Sequence, residues 1–237
     1  MANIDYLRKK VKYHIKDVHL DDDGIDSVIE TVLEDIGSST RLFKKLYGFT
    51  IHKEINTYNF RYIARLNEQV EQEPTSIVVN DITNEEIQEF ITNGGLLPSP
   101  TVTKVLEDDL AQSRLMDVLD IFDETGQSIM DKFEEKGSSY YMVYDQQWLD
   151  ANDSKTMAFS GWVVPQIEEL AEENLIDMVN AVIAGVKFYV MDSLHSKEDV
   201  QATNYDYMRY FQKKEDLTNR YSQVVYSETD RTRSSKW

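Results

Sequence analysis

Two apolar stripes near the C-terminal end constrain the fold more than any other feature of this chain. From Ile167 the apolar positions are Leu170, Ala171, Leu175, Met178, Val179, Val182, Ile183, Val186, Tyr189 and Val190. Steps of three and four place them on one side of a helix. Pro165 suits the opening turn, because its missing N–H has no partner there in any case. Gly185 sits inside this stripe. A helical glycine costs about 1 kcal/mol relative to alanine, so its presence predicts a neighbour packed closely against it. His195 and Ser196 form the turn, and a second stripe follows through Val200, Tyr207, Met208, Phe211, Leu217, Tyr221 and Val224. Matched stripes joined by a short turn predict antiparallel helices over 166–193 and 197–225.

The N-terminal region reads the same way. Ile4, Leu7, Val11 and Ile15 recur at helical spacing, and Asp21-Asp22-Asp23-Gly24 opens a second helix carrying Ile25, Val28, Ile29, Val32, Leu33 and Ile36 and punctuated by Gly37-Ser38-Ser39. Leu42, Phe43 and Leu46 read as a further turn of helix ending at Gly48. The texture then changes. Phe49 to Leu66 is rich in β-branched and aromatic residues and reads as two strands joined around 56–59. Ser76–Asn80 reads as another strand, and Thr83-Asn84-Glu85-Glu86 as the capped start of a short helix. Residues 103–123 and 127–136 read as helix, 140–144 as extended, 146–151 as one helical turn and 157–164 as a strand. The expected fold is mainly α. It has a helical core (1–47 and 165–226), a small β-rich and irregular insertion (48–164) and an extended C-terminal tail (227–237), with 1–226 as one domain.

Composition narrows the function classes. The 237 residues carry 25 Lys+Arg against 43 Asp+Glu, a net charge of −18. Such a surface repels phosphate, which argues against bulk binding to nucleic acid or anionic membranes. There is no cysteine, so disulfides, thiolate nucleophiles and Cys-based zinc sites are excluded. The N-terminus has no basic-then-apolar leader pattern. Leu175–Met191 is interrupted by Asp177, Asn180 and Lys187, too polar and too short to span a bilayer.

Motifs for catalysis are missing from the sequence. Asp21, Asp23, Gly24 and Glu30 match positions 3, 5, 6 and 12 of a calcium loop, but His19 stands at position 1. A helix N-terminus capped by Asp22 or Asp23 explains the same residues. His14, His19, His52 and His195 have no carboxylate or second histidine at ligand spacing. The adjacent acidic pairs, such as Glu85-Glu86 and Glu172-Glu173, read as solvated helix faces. The expectation is a non-enzyme with no cofactor and no metal. Two features stand out instead. Of 14 tyrosines, Tyr205, Tyr207, Tyr210, Tyr221 and Tyr226 fall on the last helix. Tyrosine favours protein interfaces, so Tyr205, Tyr207, Tyr210 and Tyr221 are candidates for a subunit interface. A wide core face is the competing explanation. The second feature is the tail, where Arg231, Arg233, Lys236 and Trp237 form a basic, aromatic-tipped end suited to an acidic partner.

The order of elements resembles the head-to-tail adaptor (connector) proteins of tailed bacteriophages. A helical pair (Ile4 to Tyr47) precedes a strand-rich stretch (Phe49 to Val79). An aromatic segment and strand then lead through Trp162-Val163-Val164-Pro165-Gln166 to paired C-terminal helices and a polar tail. The segment 93–155 is longer and more irregular than the family pattern. The resemblance implies a structural virion protein located at the head–tail junction and assembled in the host cytoplasm. It implies a twelve-subunit ring beneath the portal that extends the DNA channel, touches passing genomic DNA without reading its sequence, and offers a surface to tail or nozzle proteins. It also implies that the C-terminal segment, with Tyr226, Arg231, Arg233, Lys236 and Trp237, docks on the portal protein, and that no membrane is involved. A different class fits the same composition: an acidic helical regulator, phage-encoded or host-directed, that binds a single protein partner.

Overall fold

Asp21 sets the start of the first long helix. Its carboxylate accepts from the Gly24 amide at 2.9 Å, satisfying one of the donors that a helix N-terminus leaves free. The computed structural model describes residues 4–15, 20–70, 82–92, 113–137, 139–167, 176–194 and 200–233. In chain order the elements are α1 (Ile4–His14), α2 (Asp22–Thr40), β1 (Lys44–Thr50), β2 (Thr57–Asn59), α3 (Phe60–Val70), α4 (Asn84–Thr92), β3 (Leu115–Phe122), a 3-10 turn (Met130–Lys132), β4 (Glu134–Gly137), β5 (Tyr140–Met142), α5 (Gln146–Ala151), β6 (Thr156–Val163), α6 (Ile176–Leu194) and α7 (Val200–Arg233). The chain divides into two compact units, Met1–Leu42 with Pro165–Trp237, and Phe43–Val164.

The first unit is helical. Leu7 and Val11 of α1, Ile25, Ile29, Val32 and Ile36 of α2, Met178, Val182 and Val186 of α6, and Leu217 of α7 are all buried. Helices α6 and α7 run antiparallel. Lys187 donates to Asp206 at 2.8 Å, and Arg220 pairs with Asp177, so positions that rise along one helix fall along the other. The close approach predicted at Gly185 is present. A Cβ built there would lie 2.5 Å from Val32 Cγ1 and 2.8 Å from Tyr210 Cε2.

The second unit is an α/β body in its own right. One antiparallel sheet has strand order β1-β6-β3, and the other has β2-β5-β4. Its core is aromatic: Phe60 lies 4.5 Å from Phe159 and 5.2 Å from Phe49, measured between ring centroids. Helix α3 also closes backbone groups of the first sheet. The Asn67 amide donates to the Gly48 carbonyl and accepts from the Gly48 N–H, while Arg61 donates to the carbonyls of Leu115 and Met116. These bonds satisfy polar groups whose burial alone is costly.

The mainly α expectation is overturned. Seven helices and two three-stranded antiparallel sheets make a mixed α/β fold among the described residues. Phe43–Val164 folds around its own aromatic core, which a small β element projecting from a bundle would not have. Locally, 44–50 is a strand and not a helical turn, because Arg41 takes a left-handed conformation (φ 48°) and ends α2. Residues 60–70 are helix and not strand, with Asn59 accepting from the Tyr62 amide at the helix start. Residues 115–122 are strand, and 127–136 hold only a 3-10 turn before β4. The tail expected to be extended from Ser227 is helical through Arg233. The strands at 140–142 and 156–163 and the helix at 146–151 agree with the sequence. So does the Thr83 cap, where Glu86 accepts from the Thr83 N–H and donates its own amide to Thr83 Oγ1. Ser76–Asn80, 93–112, His195-Ser196 and the opening turns from Glu168 to Leu175 lie outside the described residues.

Candidate interaction surface

Helix α7 carries more apolar surface than its own unit buries. Tyr207 (46% exposed), Met208 (61%) and Phe211 (50%) lie on the exposed side of the helix, and Tyr205 (66%), three residues before Met208, widens it. This side carries a connected aromatic patch. Phe188 of α6 meets Tyr207 edge-on at 5.5 Å, and Tyr207 stacks on Phe211 at 6.2 Å between centroids.

Tyr210 is placed differently from its sequence-based assignment to a subunit interface. It is 3% exposed, inside the helical unit. Its hydroxyl donates to Asp35 Oδ2 at 2.6 Å, and Lys214 donates to both oxygens of the same carboxylate at 2.9 and 3.0 Å. Burial, then the bond and charge of Asp35, push the Tyr210 hydroxyl well above its ordinary pKa. The Asp35–Tyr210–Lys214 cluster thereby ties α2 to α7 beneath the exposed patch. Tyr221, Tyr226, Arg231 and Arg233 fall on the distal part of α7, and Lys236 and Trp237 lie outside the described residues.

Two further outward faces belong to the same unit. Helix α1 turns Leu7 and Val11 inward. Arg8 and Lys12 reach Asp26 and Asp22 of α2, and the hydrogen bond from Lys12 holds the Asp22 carboxyl below its ordinary pKa. The opposite side of α1 exposes Tyr6, Lys9, Lys10 and Tyr13, with Lys10 Nζ 5.4 Å above the Tyr6 ring. On α2, Asp23, Ser27, Glu30, Glu34 and Ser38 form the exposed side. Sequence reading did not single out these faces. The signal was there in the spacing 6, 9, 10, 13 and 23, 27, 30, 34.

Of the acids in the calcium-loop match, Asp21 caps α2, while Asp23 and Glu30 are exposed on its outward side; the neighbouring Asp22 and Asp26 take Lys12 and Arg8. The cap is therefore Asp21, one or two residues before the positions expected. Among the described residues no group of three or more acids and histidines is placed to hold a metal ion, and no helix is long and apolar enough to cross a membrane. A cavity of about 330 Å³ lies beside α6 and α7, lined by Asp177, Lys213, Asp216, Leu217, Asn219 and Arg220. Its charges are engaged with one another through Arg220–Asp177 and Lys213–Asp216. In the second unit, the Tyr47 hydroxyl donates to Glu68 at 2.8 Å, and burial raises the Glu68 carboxyl above its ordinary pKa.

Comparison of the sequence with protein-family profiles and with curated proteins finds no match.

Proposed function

We propose that this chain is a non-catalytic structural protein of a tailed-phage virion: a head-to-tail adaptor that assembles as a ring beneath the portal and offers its outer surface to the tail. The observation that carries this reading is the exposed patch of Tyr207, Met208 and Phe211 on α7, with half-buried Phe188 of α6 against Tyr207. Aromatic and methionine side chains are enriched in protein interfaces, and contiguous exposed apolar surface marks such sites. The charge of −18 adds support, because an acidic channel lining lets a duplex slide without sticking. The family is the one the sequence resembles; the N-terminal helices, the strand before Pro165 and the paired C-terminal helices support it, whereas the helix at 60–70 stands where that pattern expects strand. Tyr205, Tyr207 and Tyr221 contact neighbouring subunits, and the end of α7 with Tyr226, Arg231, Arg233, Lys236 and Trp237 contacts the portal.

Native mass measurement of the full chain, with and without portal protein, tests this. The expected result is a ring-sized assembly that binds portal, and loss of that binding when residues 227–237 are removed. A stable monomer that ignores portal would overturn the adaptor reading in favour of a regulator that engages one protein partner. Unchanged portal affinity in the truncated protein would move the docking role to the exposed aromatic patch of α7.

A further inference from the structure

Helix α1 is a cationic element on an acidic protein. Arg8, Lys9, Lys10 and Lys12 against Asp5 give it a net +3, so the rest of the chain carries −21. Its cations divide by direction. Arg8 and Lys12 are bound to Asp26 and Asp22 of the same chain, whereas Lys9 and Lys10 are exposed on the outward side between Tyr6 and Tyr13. Ion pairing within the chain thus engages half of the charge; the outward half has no acidic partner on α2, and Lys10 lies over the Tyr6 ring.

The outward side of α2 is the complement. Glu30 and Glu34 are one turn apart, exposed, with Asp23 in line below them. Like charges at this spacing repel each other and weaken a helix. Lys9 and Lys10 add two exposed positive charges to the outward side of α1. Each face relieves the other if they meet, and tyrosine rings flanking the lysines would shield the pairs from water. Arg8–Asp26 and Lys12–Asp22 fix α1 against α2, so within one chain both faces point outward and cannot meet each other.

We propose that Tyr6, Lys9, Lys10 and Tyr13 of one copy dock on Asp23, Glu30 and Glu34 of a second copy. The two faces are different patches of one rigid pair of helices. Their contact is therefore heterologous, and repeating it generates a closed ring when the rotation per subunit closes. This rests on the ring reading above and assigns part of its subunit contact, separate from the aromatic patch of α7.

The test uses full-length protein and two paired reversals, Lys9→Glu with Lys10→Glu, and Glu30→Lys with Glu34→Lys. Sedimentation and native mass measure association at low and high salt, and circular dichroism checks the fold. Wild-type association should weaken as salt rises, because exposed charges are screened over roughly 10 Å at 0.1 M. Each paired variant alone should associate at least tenfold more weakly. An equimolar mixture should recover assembly in alternating order, because each variant's reversed face then meets a partner of opposite sign. Recovery also shows that both variants are folded. Variants that assemble as wild type, or a mixture that fails to recover, would overturn this contact and leave the ring reading standing. Wild-type protein that stays monomeric at every salt, with portal and without, would overturn both.

Discussion

Replacing Gly185 with alanine sets two opposing effects of known size against each other. The added methyl would lie 2.5 Å from Val32 Cγ1, 2.8 Å from Tyr210 Cε2 and 3.1 Å from Tyr210 Cζ. Neither neighbour can step aside. Val32 is fully buried and Tyr210 nearly so; a helical valine is stiff at χ1, and the Tyr210 ring is pinned through its hydroxyl to Asp35. The overpacking cost should therefore reach the upper part of its usual range, about 3 kcal/mol. Alanine gains about 1 kcal/mol over glycine in a helix interior. The net expectation is a loss of about 2 kcal/mol, or a Tm lower by about 4–8 °C for a chain of this size. Thermal and urea unfolding of the full chain read this directly. Val32→Ala removes the methyl that clashes first, so the double variant should lose at least about 1 kcal/mol less than the two single losses added together. A Gly185→Ala protein that melts higher than wild type would refute the reasoning, since helix propensity alone would then decide the outcome.

Val182 is fully buried on the same helix, and Val182→Asp puts an unpaired charge into that core at a cost of several kcal/mol; the variant should be insoluble or lack a cooperative transition by circular dichroism. Tyr210→Phe removes the bond to Asp35 and should cost roughly 1.5–3 kcal/mol near pH 8 by urea unfolding. The Tyr210 hydroxyl is raised above its unfolded value of about 10, so its contribution is complete below that pH and fades above it, and the gap between wild type and variant should narrow there. Glu68 is likewise raised by burial. Its contribution is complete below the unfolded value of about 4.3 and is lost as pH climbs through the raised folded value. Glu68→Gln keeps an acceptor for Tyr47 without the buried charge, so it should match or exceed wild type in Tm at pH 7 and show no advantage at pH 4.

Where the hydrophobic period was undisturbed, the sequence was readable. The Gly185 contact and the capping box at Thr83 were foreseen because each is a local rule with one structural answer. The helix at 60–70 was missed although Phe60, Ile63, Ala64 and Asn67 stand at 0, +3, +4 and +7. Their aromatic and β-branched chemistry outweighed their spacing, and the Asn59 cap was passed over. Strand β3 lies in a stretch of mixed periodicity and many acids, 103–123, that read as helix. It carries register shifts between Leu115 and Asp117 and between Val118 and Asp120. Each shift adds a residue to one side of the ladder, which leaves Leu115, Val118 and Ile121 three apart. A bulged strand thus imitates helical periodicity, and only its pairing with β6 distinguishes the two.

The tyrosines show where spacing ceases to separate core from interface. Tyr47, Tyr58 and Tyr141 are in the core of the second unit, and Tyr210 in that of the first. Part of the tyrosine surplus therefore serves packing, and of the interface candidates Tyr210 is in that group while Tyr205 and Tyr207 are exposed. On α7 the inversion runs the other way. Asp206 is buried and matched by Lys187, while Phe211, Met208 and Tyr207 remain outside. A buried carboxylate is tolerated only with a partner on the facing helix, and that partner lies 19 residues away in sequence. Assigning every large apolar residue of α7 to one inward stripe therefore had to fail. With Asp206 and Lys187 occupying the contact between α6 and α7, Tyr207, Met208 and Phe211 stand exposed, and they are the residues the proposed subunit contact would cover.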